Sequence, residues 1–359
     1  MTSAWTPAHI AAIDMAACAT VPPLGPVSRP AGGADRYYWD MWPVQHPDGT
    51  IARLGAREMW MALSAPDRGD PALRHFEADI RWLERGAAGW IDCGPVLPRH
   101  PAPYEREWAG SALLDDNRLT LFFTGAGIAQ RPGGYQQRLF EANAPVSCEG
   151  AIGKWTEPKP SIASLTPEYR AADAHEGEPG KITAFRDPAF FRDPADGMDY
   201  LVFTASLANA ASEFNGAIGI ARRSGEGWQL LPPLLHADGV NNELERAHVV
   251  FRGGMYYVFW VTQRSTFSPD VAAGPTGLYG MVANSLAGPW APVNGSGLVL
   301  ANPADDPGRA YSWFVSAEGV AASFVDDAGG AGFAGVPAPL LQLAFDGDTV
   351  SLAGEAPTR

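Results

Sequence analysis

Apolar residues in this chain fall in short runs of five to nine positions: Arg57–Ala65, Arg118–Thr124, Tyr200–Ala205, Ala217–Ala221, Met255–Gln263 and Leu278–Ala283. Each is rich in aromatic, β-branched or aliphatic residues and ends at a turn signal. Such signals include Asp48-Gly49, Asp196-Gly197, Arg252-Gly253-Gly254 and Asp346-Gly347. Runs of this length between turn residues predict strands and hairpins. Helical spacing of apolar positions occurs only over Thr6–Ala17 and Ser164–Ala172. The fold class expected is all-β.

A loose repeat overlies this pattern. A Trp followed by Pro or Gly and then aliphatic residues recurs at Trp90, Trp155, Trp228 and Trp290, 62 to 73 residues apart. Each copy follows a run of strands, where an outermost strand would close a sheet. The period divides the chain about five times, which predicts a β-propeller of about five blades. No linker interrupts the pattern, so the expectation is one domain over 1–359, with 1–35 packed on the propeller as an N-terminal segment. The Gly/Ala/Pro-rich stretch Gly329–Pro339 reads as a surface loop.

Composition narrows the function. With 40 Gly and 32 Pro in 359 residues, many short elements are favoured over long helices. The formal charge of −14 argues against nucleic acid or an anionic membrane as partner. Twelve Trp suit a surface that packs on sugar rings. Cys18, Cys93 and Cys148 show neither a disulfide framework nor zinc spacing. No apolar run approaches the ~18 residues of a membrane span. The first twenty residues lack a basic start and carry Asp14 in their apolar stretch, unlike a secretory signal peptide. A cytoplasmic protein is expected, or one exported by a route the sequence does not display.

Three acids stand in unusual company. Asp40 lies between Trp39 and Trp42, where partial desolvation penalises its charge unless donors surround it. Asp187 follows Arg186, whose guanidinium can pair a carboxylate or donate to hydroxyls. A second Arg-Asp-Pro, at Asp193, runs into a hairpin tip and reads as structural. Glu243 and Glu245, two apart on a strand, would face one side and raise one another's pKa, as suits a proton donor. His248 nearby reads as structural. There is no His/Cys metal cluster, nucleophile elbow, P-loop or dinucleotide fingerprint. Separated acids on a sheet scaffold rich in Trp suit glycosidic chemistry, in which one carboxylate attacks the anomeric carbon and another protonates the leaving oxygen.

Five motifs in order sharpen this: Trp39-Asp40-Met41-Trp42-Pro43, Glu107-Trp108-Ala109-Gly110, Arg186-Asp187-Pro188, Glu243-Leu244-Glu245-Arg246 and Ala310-Tyr311-Ser312. Together with WQLLPPLL (228–235), GPTGLYG (274–280) and NGSGLVLANP (294–303), they resemble glycoside hydrolase family 68, the levansucrases and related fructosyltransferases. The likeness runs from about Trp5 to Asp326. It implies a five-bladed β-propeller with a central funnel-shaped pocket. By the same resemblance Asp40 matches the nucleophile, Glu245 the general acid/base, and Asp187 the transition-state stabiliser holding the fructosyl hydroxyls. Trp39, Trp108 and Arg186 match residues shaping the fructosyl subsite. Glu243, Arg246 and Tyr311 match the region that meets the glucosyl group and orients the acid/base.

The implied substrates are sucrose and short fructans, cleaved by double displacement with retention and transferred to water, sucrose or a fructan end. No cofactor is needed, and no calcium loop is seen. Two departures from the family pattern stand out. Ala109 replaces the Ser common after the matching Trp, and Gln263 replaces the usual Arg or His eighteen residues past the acid/base. Gln263 is expected to tilt the balance towards hydrolysis and short products. Other readings compatible with the residues are a different five-bladed glycosidase, such as one acting on arabinosides, and a non-catalytic glycan-binding propeller.

Overall fold

The computed structural model describes residues 2–86, 89–98, 101–131, 133–173, 178–327 and 329–357. Five antiparallel sheets follow one another along the chain as blades I to V, each starting with a strand next to the central axis. The inner strands are Arg36–Gln45, Arg106–Asp115, Phe185–Arg192, Glu245–Arg252 and Tyr311–Val315. Successive strands of each blade step outward through hairpins, and those of blades I and II also touch through a parallel pair at Val44–Ala112 and Gln45–Leu113. The inner and second strands are buried nearly throughout, because blade packs against blade on both faces.

All six apolar runs read from the sequence are strands, and Asp196-Gly197, Gly253-Gly254 and Gly347 lie at hairpin turns. Trp90 and Trp228 sit on outermost strands, Gly89–Pro95 and Gly227–His236. Trp290 directly precedes the short outer strand Ala291–Pro292. Trp155 lies off the strands, before the edge pair Lys159–Pro160. The outermost strand of blade V, Thr349–Glu355, carries no Trp.

Three local expectations change. The helix over Thr6–Ala17 shortens to Pro7–Ala11, because the Asp14 side chain accepts the Ala16 N–H in a turn instead. Ser164–Ala172 is not helical. Tyr169 and Arg170 pair with the end of the second strand of blade III, and the Tyr169 hydroxyl donates to the Leu231 carbonyl. Part of Gly329–Pro339 is a strand, Phe333–Pro337, pinned to Val320–Asp327. The Phe333 ring packs edge-on to Tyr37 and Phe324, and Gly335 takes φ +55° where a Cβ would strike Tyr37.

The N-terminal segment straps the blades together from outside. Ser3–Ala4 pair in parallel with the outer strand of blade III. Trp5 is buried in blade IV, edge-on to Trp260 (5.3 Å) and Tyr279 (5.0 Å), with its indole N–H donating to Ser296 O. Val21 bonds to Ala301 of blade IV and takes a bond from Arg309 before blade V. Ala31 bridges to Ile91 on the edge of blade I. The segment therefore spans the junction where the first and last blades meet.

His248 clamps blade IV to blade V. Its Nε2 accepts the Val315 N–H (2.9 Å), so the proton sits on Nδ1, which donates to Arg246 O (2.9 Å). Burial drives its pKa down to about 4.

Two outcomes follow. Truncating the fully buried indole in Trp5→Ala lowers unfolding free energy by about 3–5 kcal/mol in denaturant titration, since it removes both packing and a bond. For His248, the folded pKa lies below the unfolded value, so the unfolded chain takes up the proton first as pH falls. Its contribution is present at pH 7.5 and is lost on acidification towards pH 4.5, by about 2–3 kcal/mol. The His248→Gln variant, weaker at pH 7.5, loses less stability than the parent over that window, as the two sets of denaturation midpoints show.

Candidate active site

One pocket of about 510 Å³ opens at the axis. All five inner strands break register at the same level: between Trp39 and Trp42, Trp108 and Gly110, Arg186 and Ala189, Glu245 and His248, and Tyr311 and Phe314. In four of them a non-glycine residue takes the left-handed conformation: Asp40 (φ 50°), Asp187 (60°), Arg246 (51°) and Ser312 (59°). Such backbone is costly and persists only where surroundings hold it. Buried threonines on the second strands do so. The Thr124 hydroxyl accepts the Asp187 N–H (2.8 Å) and donates to Ala109 O (3.1 Å). The Thr204 hydroxyl accepts the Arg246 N–H (2.8 Å) and donates to Asp187 Oδ2 (3.0 Å).

These bulges turn the acids to the pocket floor. Asp40, Asp187, Glu243 and Glu245 all line the cavity. Burial raises the pKa of Asp40, opposed by the Arg246 charge and by a hydrogen bond from Ser312. This hydrogen bond to Asp40 comes from blade V. Burial pushes Asp187 up to about 7, with Arg186 opposing and Glu245 and Asp40 reinforcing. Asp193, the second Arg-Asp-Pro acid, lies away from the pocket, accepting Tyr256 Oη–H (2.6 Å) and the Ala195 N–H.

Arg186 organises the acids. Its Nη2 bonds Glu243 and lies 3.3 Å from Glu245 Oε1, and its Nε stands 3.4 Å from Asp187 Oδ2. Glu243 does not share a strand with Glu245, because blade IV begins at Glu245. It reaches the same face from the preceding loop, where Asn241 Oδ1 accepts its N–H and Thr262 donates to its carbonyl. Its pKa is raised by burial. The Tyr311 hydroxyl donates to Glu245 Oε2, and burial with the two glutamates keeps that phenol protonated. Gln263, just past its strand, donates to Tyr311 and accepts from Ser265 Oγ (3.3 Å). Arg264 turns away, its Nη1 donating to Ala273 O.

Trp39 and Trp108 form walls of the cavity. Arg246 does not line it. It lies beneath the floor, donating to Met41 O and Ser312 Oγ (both 3.1 Å) with its guanidinium over Trp42. Those bonds hold its side chain on the far side of the floor from the cavity, so its influence on the pocket is through charge and bracing.

The structure adds residues that sequence reading passed over. Arg74 and His75 come from a short 3₁₀ helix, Pro71–Phe76, and Asp326 from blade V. Arg74 stacks on Phe333 (4.0 Å) and acts on both Asp326 and Asp40. Burial lifts Asp326 to about 6. No periodicity marks Pro71–Phe76, so only its tertiary position shows its part. Ser312 stands in the Ala310-Tyr311-Ser312 motif, where nothing local marks its side chain as the donor to Asp40. Among the described residues, no group of three or more His, Cys, Asp or Glu converges as a metal site.

Comparison with known proteins agrees with this geometry. The levansucrase/invertase profile of glycoside hydrolase family 68 matches residues 1–215 and 208–353. A levansucrase of Pseudomonas savastanoi pv. glycinea is 31% identical, over 92% of this chain and 89% of its own. A levansucrase of Rahnella aquatilis is 29% identical, over 96% and 92%. The structure of an inulosucrase from Halalkalicoccus jeotgali bound to kestose superimposes with a TM-score of 0.88 at 36% identity, covering 99% of this chain and 96% of that one. A levansucrase from Gluconacetobacter diazotrophicus, at 22% identity and TM-score 0.82 over 98% and 90%, shares the five-bladed fold. The chain belongs to glycoside hydrolase family 68, the levansucrase/invertase family.

Proposed function

We propose that this protein is a retaining fructosyltransferase that cleaves sucrose and passes the fructosyl unit to water, sucrose or a short fructan. The observation that carries the reading is the meeting of Asp40, Asp187 and Glu245, from three different inner strands, on one pocket floor between Trp39 and Trp108. Kestose in the related inulosucrase supports a fructoside as ligand.

The residues divide the work as follows. Asp40 attacks the anomeric carbon of the fructosyl unit, and Glu245 protonates the glucosyl oxygen so that glucose leaves. The proton on Tyr311 stays in place, so its hydroxyl steadies Glu245 in both half-reactions without entering the transfer. Asp187 accepts hydroxyls of the fructosyl ring. Those donors favour its ionised form, offsetting the burial that raises its pKa in the empty pocket, and the carboxylate then faces the oxocarbenium-like transition state. Arg186, in contact with Asp187, Glu243 and Glu245, offsets the mutual repulsion of those three acids. Glu245 finally removes the proton of the acceptor as its oxygen displaces Asp40, with net retention.

Gln263 sits at the rim where leaving group and acceptor lie. Its side chain is already engaged with Tyr311 and Ser265, and it carries no charge. A charged donor contributes roughly 1.5–3 kcal/mol per hydrogen bond and a neutral one about 1. A deficit of ~1 kcal/mol in acceptor binding changes partitioning several-fold towards water.

Two experiments test this. Incubated with sucrose, the parent releases glucose. Asp40→Asn and Glu245→Gln each cut that turnover by about 10⁴-fold or more with unchanged thermal midpoint, while Asp193→Asn changes it by less than about tenfold. Equal damage from Asp193→Asn and Asp187→Asn would show that the wrong acid has been assigned. Product analysis at moderate sucrose gives mostly free fructose and short oligosaccharides, and Gln263→His or Gln263→Arg lengthens the products. Abundant high polymer from the parent contradicts the role given to Gln263.

A further inference from the structure

We propose that His75 is a further donor-binding residue, its imidazole taking a ring hydroxyl of the fructosyl unit held between Trp39 and Trp108. The inference deepens the fructosyl-transfer reading and rests on it.

His75 is held rigidly by its backbone. Asp70 caps the 3₁₀ turn by accepting the Ala72 N–H (2.9 Å), with Pro71 in its first position. On one side of His75, Arg74 is fixed over Phe333 and bonded to Pro71 O. On the other, Phe76 packs edge-on to Tyr135. The His75 carbonyl itself accepts the Trp108 indole N–H (3.2 Å). The main chain of His75 therefore sets the angle of one pocket wall, and its ring is positioned with it.

The ring lies edge-on to both wall tryptophans, with centroids 6.3 Å from Trp39 and 6.5 Å from Trp108, and lines the cavity. Among the described residues neither ring nitrogen takes part in a hydrogen bond. In His248, by contrast, both nitrogens are used. A rigidly placed polar ring facing a sugar-sized cavity, its nitrogens unspent, is available to a ligand.

The chemistry fits a hydroxyl. Burial, with Arg74, Arg106 and Arg186 nearby, pulls the imidazole pKa down to about 3, so the ring is neutral around pH 7. A neutral imidazole has one donor and one acceptor, as does a sugar hydroxyl. The carboxylates on the floor only accept when ionised, and Arg186 only donates. His75 supplies a group that does either, beside rings that pack on the sugar face.

The test compares His75→Phe, which keeps the shape of the wall, with His75→Asn, which keeps a donor and an acceptor. kcat/KM is measured with sucrose and with raffinose, which carry the same fructosyl unit on different leaving groups, and folding is checked by thermal midpoint. Expected is a loss of about 10–100-fold for His75→Phe with both donors, and recovery to within about fivefold of the parent in His75→Asn. Parent-like kcat/KM in His75→Phe overturns the inference. So does His75→Asn no better than His75→Phe, or a loss confined to sucrose, which would place the ring against the leaving group. A parent that releases no glucose from sucrose sinks the fructosyl-transfer reading itself.

Discussion

The site depends on a backbone constraint repeated around the axis. Each inner strand must cross from blade packing to pocket lining within one or two residues, and a regular strand cannot do so without alternating its side chains between the two. The register break supplies the turn, and left-handed φ at Asp40, Asp187, Arg246 and Ser312 is its cost. Thr124 and Thr204 hold two of these positions by accepting the bulged N–H of the next blade. Each threonine spends its own proton on a neighbour, Ala109 O or Asp187 Oδ2, so the hydrogen-bond chain passes from blade to blade. The same bonds that stabilise the strained backbone aim the acids.

Electrostatics on this frame are deliberately unbalanced. Asp40, Asp187, Glu243, Glu245 and Asp326 crowd the cavity, against Arg74 and Arg186 in its wall and Arg246 beneath it. Burial raises Asp40, Asp187, Glu243 and Asp326, and the guanidinium groups pull each back. Such a floor is poorly satisfied when empty. It is best matched by a ligand that brings hydroxyl donors and develops positive charge, which is what a fructosyl unit does during transfer.

Outside the pocket, the N-terminal strap and the short 3₁₀ turn solve separate problems. A propeller closed by a last blade made wholly of its own strands needs something to bind blade V to blade I. The strap does this from Trp5 to Ala31. Pro71–Phe76 fills the gap between the inner strands of blades I and II, and couples Trp108 to the wall that also holds Trp39.

The sequence by itself determined the all-β class, the strand runs and the blade period, because turn residues and short apolar runs act locally. It also marked Asp40, Asp187 and Glu245, since each stands in a motif whose neighbours, Trp39, Arg186 and Glu243, are unusual beside a solvated acid. The structural place of Asp193 was legible too, from the hairpin tip that follows it, and it lies outside the cavity that Asp187 lines. Other features were not legible. Arg246 reads as a pocket residue from its motif, but its bonds to Met41 O and Ser312 Oγ hold it below the floor, and Glu243 reads as strand-borne although it lies in the loop before the strand. Arg74, His75, Asp326 and the proton-donating role of Ser312 depend on contacts between residues far apart in the chain. Long-range packing decided them: the blades bring positions from 40 to 326 around one axis, and no local pattern encodes which side chains will meet there.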